Sequence, residues 1–233
     1  MTHGDWIGLI ASYIYAFALL IVIEFIGKKA KWPHWVTRKL VHIGAGMWVW
    51  AMLFYFDHWL IGIIPFATFI VLNYIFYRWQ IFKTMDDEDS TPGTVYFALS
   101  ITTLFLLFWR TGGQMDRSDI AVASIMAMTW GDALASLIGK AFGKKKYKTF
   151  GHYRTWEGSV TMFLVSYLAI GFTLTLLPGS ILSPHSVVYN PSFVWGISLV
   201  PALIAAFAEG LSPAGTDNLS VPLLTAFTLW FIL

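Results

Sequence analysis

Asp132 stands inside a long apolar stretch, in the run TWGDALASLIGKAFGKKKY (residues 129–147). A carboxylate in hydrocarbon is costly, so it faces a protein interior or a wet cavity and marks a candidate site. Other polar positions share that character. His42 follows the run RKLV, Glu157 opens an apolar stretch after the basic block, Glu209 closes another, and Asp217 with Asn218 opens the last. Carboxylate oxygens suit Mg²⁺, which keeps several waters and also takes phosphate oxygens. On a helix, Asp132, Ser136, Gly139 or Lys140, and Gly143 recur at spacings of three or four and share one face. A carboxylate at the deep end of that face and lysines at its rim would suit a metal-bridged polyphosphate. Glycines would let the phosphate approach the backbone.

Plainer readings stand beside this one. Gly139 and Gly143 form a small-xxx-small pair that packs helices as readily as it admits a phosphate. Lys144, Lys145 and Lys146 also suit a topology signal or anionic lipid headgroups. Thr155 and Asp217 suit helix caps, and His42 taken alone suits a satisfied core histidine. The acidic run Asp86, Asp87, Glu88 and Asp89 reads as a solvated loop before a helix start, with metal capture as the alternative. GKAFGK has three residues between its glycines where a P-loop needs four, so a soluble nucleotide-hydrolase fold is unsupported. With no cysteine in the chain, disulfides and Cys-based zinc or redox sites are excluded.

The elements that must position these residues follow from composition. The chain is 57% hydrophobic and 12% charged, with a mean hydropathy of +0.65, which places it in the membrane class. A spanning helix needs about 20 apolar residues, because lipid offers the backbone no hydrogen-bond partner. Eight stretches meet that template: 6–27, 36–56, 59–77, 92–109, 118–139, 156–177, 192–210 and 219–233. The first has no basic leader before it and reads as a retained helix rather than a signal peptide. The expected fold is all-α, a polytopic helical bundle forming one transmembrane domain over residues 1–233.

With eight spans, 13 of the 15 basic residues fall on one side and only Arg110 and Arg117 on the other. The positive-inside rule makes the first side cytoplasmic. Asp132 lies seven residues before Gly139, roughly 10 Å from the helix end at about 1.5 Å per residue. His42, Asp132, Glu157, Glu209, Asp217 and Asn218 all fall toward the basic side. Such convergence describes a membrane-surface site for a water-soluble anion and a lipid. A lipid or small-molecule transporter, the alternative of another class, would place its polar groups near the midplane, often in two matching halves. A net charge of +2 gives no reason to expect nucleic acid.

Four separated segments, RKLVHIGAG (38–46), WGDALASLIGKAFGKKKY (130–147), TWEGS (155–159) and AEGLSPAGTDNLSVPL (208–223), resemble the CTP-dependent polyprenol kinase family in the same order. That family includes phytol, farnesol and dolichol kinases, and GTDNLSVP looks closest to the phytol kinase branch. The resemblance implies phosphorylation of a membrane isoprenoid alcohol, with CTP as donor and Mg²⁺ as cofactor. It further implies a nucleotide and metal site formed by Gly131, Asp132, Gly139, Lys140, Gly143, Lys144, Thr155, Glu157 and Gly158. Arg38, Lys39 and His42 would join it from the second span, and Glu209, Asp217 and Asn218 from the last two. Under that reading Asp132 and Asp217 hold the metal, with Glu157 and Glu209 as further ligands or groups that orient it, and His42 and Asp132 are both candidates for accepting the hydroxyl proton. GDALASLIGKAFGK followed by TWEGS also looks like phosphatidate cytidylyltransferase, but AEGLSPAGTDNLSVP departs from that family's C-terminal signature.

Overall fold

A computed structural model describes residues 1–82, 91–111, 116–150, 152–213 and 215–233. Lys83 and the acidic run Asp86, Asp87, Glu88 and Asp89 lie outside the described residues. Each of the eight apolar stretches is helical. They form α1 (His3–Ala30), α2 (His34–Tyr55), α3 (Trp59–Trp79), α4 (Gly93–Phe108), the composite stretch Ser118–Phe142, α7 (Trp156–Leu176), the composite stretch Pro191–Leu211 and α10 (Asp217–Ile232). Five of these are long and apolar enough to cross a membrane, and α4 and α10 are shorter apolar helices. The protein is an all-α, polytopic membrane bundle.

Two of the stretches are interrupted. Ser118–Phe142 consists of α5 (Ser118–Met126), a π-helical turn (Ala127–Asp132) and α6 (Ala133–Phe142). Pro191–Leu211 breaks at Ser198 into α8 (Pro191–Ile197) and α9 (Leu199–Leu211). Pro201 explains the second break: it has no N–H for the turn before it, and its ring crowds that turn's carbonyl.

Ser118–Phe142 is the central helix. Of its most apolar window 78% is buried, against 11% for α1, which faces outward along most of its length. Small residues make the centre possible: Ala121, Ala123, Ala127, Gly131, Ala133 and Ala135 let neighbouring helices close in. α5 packs against α2, α4, α7 and α10.

The two ends of the bundle are tied differently. At one end Asp5 completes a capping box with Thr2 and accepts the backbone N–H of Asp57 and His58 and the His58 ring nitrogen, pinning the start of α1 to the α2–α3 turn. Asp116, Ser118 and Ser183 link the α4–α5 and α7–α8 connections at that same end. The basic connections lie at the other end. There α1 stops at Lys31, whose φ of 53° is left-handed, with Lys28 and Lys29 in the last turn where the helix dipole favours cations.

The basic segment 140–155 is the end of α6 followed by a hairpin. β1 (Lys146–Thr149) pairs antiparallel with β2 (His152–Thr155), in register Lys146 to Thr155 and Thr149 to His152. The hairpin folds down onto the bundle: Thr149 Oγ1 donates to Gly210 O at 2.8 Å, and Tyr147 hydrogen-bonds Ser159 at 2.6 Å. A side chain on Gly210 would crowd the Tyr147 hydroxyl, which would have to shift.

Candidate active site

The π turn sets the position of Asp132. It is pressed from two sides: Gly46 on α2 leaves room for Thr129, and Gly131 leaves room for Ser166 and Met162 on α7. A π turn shifts the backbone ladder by one residue, and such turns recur at functional sites. Side chains reach the carbonyls along it. Ser166 Oγ donates to Ala127 O at 3.4 Å, and His42 Nε2 lies 3.2 Å from Met128 O. A carbonyl only accepts, so His42 carries its proton on Nε2, and in the neutral ring the lone pair is on Nδ1.

Three helices bring carboxylates together around that turn. Asp132, Glu209 at the end of α9 and Asp217 at the start of α10 are all buried, and each offers an oxygen within 4.8 Å of the others. Like charges this close need compensation. Lys39 Nζ lies 2.5 Å from Asp132 Oδ2, with His42 Nε2 at 3.7 Å from the same oxygen. Arg154, carried in by β2, forks between Glu209 at 2.9 Å and Asp217 at 3.2 Å, and also donates to Ser212 O at 3.2 Å. Burial works against the Arg154 charge, but Glu209, Asp217 and Asp132 outweigh it and hold the guanidinium above its ordinary pKa. Three carboxylates therefore face one ammonium and one guanidinium.

The other residues singled out in the sequence fall around this cluster in different ways. Arg38 and Asn218 lie together against Gly93, where a side chain would meet both. The Lys140 ammonium sits 5.0 Å from the centre of the Trp35 ring. Glu157 is not among the three converging carboxylates: it accepts the backbone N–H of Lys144 at 3.0 Å and of Lys145 at 3.3 Å, closing the base of the hairpin. Thr155 caps α7 by accepting the Gly158 N–H at 3.1 Å. Gly139 and Gly158 meet where α6 crosses α7, and Gly143 abuts Thr155. The geometry thus gives Gly131, Gly139, Gly143 and Gly158 a packing role. Arg154 is the cluster member that sequence reasoning passed over, as one more basic residue in a basic connection.

Fold and site together define a polytopic helical membrane protein with a buried ionic cluster near one end of the bundle, the end where the basic connections gather. The phytol kinase of Synechocystis sp. is 30% identical to it over 97% of this chain and 91% of its own length. The probable phytol kinase 2, chloroplastic, of Oryza sativa subsp. japonica is 28% identical, with 89% of this chain and 69% of the relative covered. The chloroplastic farnesol kinase of Arabidopsis thaliana is 26% identical over 69% of this chain and 57% of its own. No protein-family model and no solved structure matches the chain. The chain belongs to the polyprenol kinase family, that of the phytol and farnesol kinases.

Proposed function

We propose that this protein phosphorylates a membrane isoprenoid alcohol such as phytol, with CTP as donor and Mg²⁺ as the assisting ion. The observation that carries this reading is the convergence of Asp132, Glu209 and Asp217 from three helices in a chain of this family. The donor set fits the ion, since it consists of carboxylate oxygens alone. Asp132 and Asp217 would hold it, with Glu209 as a further ligand. Bound there with nucleotide, Mg²⁺ would neutralise charge on the phosphate oxygens. Glu157, standing apart from the three, orients the Lys144–Lys145 backbone.

In phosphoryl transfer the protein mostly positions reactants and offsets developing charge. Lys39 and Arg154 bring positive charge to the cluster, and Arg38, beside Asn218, with Lys140 and Lys144 would offset charge on the phosphates. The alcohol oxygen attacks the γ phosphorus, the bond from that phosphorus to the β–γ bridging oxygen breaks, and CDP leaves. His42 would be the proton acceptor, because Asp132 is already paired with Lys39. The basic residues on this side of the bundle support the cytoplasmic face as the side of the reaction.

The test is incubation of the purified protein with phytol or phosphatidate and CTP labelled at the α or the γ phosphate. Label from γ in phytyl phosphate, with CDP released, is expected. Label from α in the phosphatidate product, with pyrophosphate released, would replace this reading by a cytidylyltransferase, and no transfer of either label would sink both.

A further inference from the structure

A groove between α1 and the helices it packs on is lined by residues of α1, α2, α3 and α4 and reaches Asn218. α1 meets the other helices here through its own small apolar cluster, Leu20 and Val41 with Ile23, Phe69, Phe76 and Phe82, distinct from the main core. From Arg38 to Trp48 the groove follows α2 over ten residue steps, about 15 Å at 1.5 Å per residue. Its walls are largely apolar, with Pro65 and the aromatic rings of Phe66, Phe69 and Phe97 among them.

The two ends of the groove differ in chemistry. One end is formed by Arg38, Lys39, His42 and Asn218. Lys39 and His42 belong to the groove and to the ionic cluster at once, since both face Asp132. Asn218 Oδ1 is buried there without a hydrogen-bond donor among the described residues. At the far end stand Tyr15 and Trp48, stacked at 4.3 Å. Their polar atoms are satisfied within the protein: Tyr15 donates to Gly44 O at 2.8 Å, and Trp48 Nε1 donates to Ser12 Oγ at 3.0 Å. A ligand that fits has one polar head able to donate a hydrogen bond and one long apolar chain. An alcohol O–H is such a donor, whereas an ionised carboxylate or phosphate is not.

We propose that this groove seats the chain of the isoprenoid alcohol, with its hydroxyl end beside Lys39 and His42 and the Tyr15–Trp48 pair limiting the chain length accepted. The proposal rests on the kinase reading and deepens it by assigning the lipid subsite and its length gauge. The apolar surface groove on the other side of α2, lined by Met47, Trp50, Trp130 and Phe172, has no polar end and is not the seat.

Two measurements test it. The first is photo-cross-linking of the unaltered protein with a prenol bearing a diazirine at its chain terminus, followed by peptide mapping. Labels on Tyr15, Trp48 or Phe66 are expected, while labels on Met47, Trp50 or Phe172 would overturn the assignment even if the protein turns over prenols normally. The second is Ala16→Phe, which adds a ring inside the groove on the half-buried side of α1. It should lower kcat/KM for phytol relative to farnesol by roughly tenfold while the CTP KM holds. An unchanged ratio in a folded variant would reject the length gauge. Absence of any prenyl phosphate from the unaltered protein would instead reject the kinase reading itself.

Discussion

Replacing Asp132 by Asn removes a charge at almost constant volume and so separates chemistry from packing. If this carboxylate holds the metal, prenol phosphorylation falls by about 10³ or more while the helical circular dichroism of the detergent-solubilised protein persists. Lys39 loses its partner in that variant, but its side chain is 16% exposed and can reach water, which limits the cost. A near-normal turnover rate would remove Asp132 from the metal site. Arg154 tests the other half of the cluster. An ammonium cannot fork between two carboxylates as a guanidinium does, so Arg154→Lys leaves either Glu209 or Asp217 without its charged partner. A charged hydrogen bond contributes about 1.5–3 kcal/mol, and the lower part of that range applies because Arg154 is partly exposed. The expected result is a lower unfolding temperature together with lower activity; full retention of both would show that the fork has no role.

At the scale of the element, the crossing of α6 and α7 decides between two meanings of the glycine-rich segment. A methyl group at Gly139 would stand 2.8 Å from Thr155 Oγ1, the atom that caps α7. Gly139→Ala should therefore cost about 1–3 kcal/mol, seen as a lower unfolding temperature, with the CTP KM of the folded fraction unchanged. A raised KM at constant unfolding temperature would make the glycine a phosphate contact instead. The same elements mark how far the sequence could be read. All eight apolar stretches were legible as helical, because a lipid-exposed backbone has to be helical and apolar runs announce it. Asp132, Glu209 and Asp217 were legible because charge at an apolar helix is costly. The π turn was not: the contacts around it, Thr129 against Gly46 and Ser166 against Gly131, come from helices remote in sequence. Arg154 escaped because its role comes from the hairpin. Yet KYKTFGHYRT does carry an alternating pattern around a Phe-Gly turn, a strand signal that the basic charge obscured.

For the whole molecule, the site and the lipid groove meet at one membrane face, so the protein should respond to a soluble and a lipidic ligand together. Anything that binds only the folded state stabilises it by RT ln(1 + [L]/Kd), about 2.7 kcal/mol at a hundredfold excess over Kd. The three carboxylates repel one another and, among the described residues, the cations that offset them are Lys39 and Arg154. Mg²⁺ with CTP should therefore raise the unfolding temperature more than either does singly, and Mg²⁺ with ATP should raise it less. Chelation by EDTA should return the protein to its starting value. In Asp217→Asn the joint effect should collapse toward that of CTP alone, because one of the three converging oxygens has lost its charge. Equal shifts with CTP and ATP would remove the pyrimidine preference but keep a metal-nucleotide site. Equal shifts in the unaltered and Asp217→Asn proteins would instead place the nucleotide away from the cluster, at the exposed lysines of the hairpin, and leave the buried carboxylates as an internal tie between α9, α10 and the central helix.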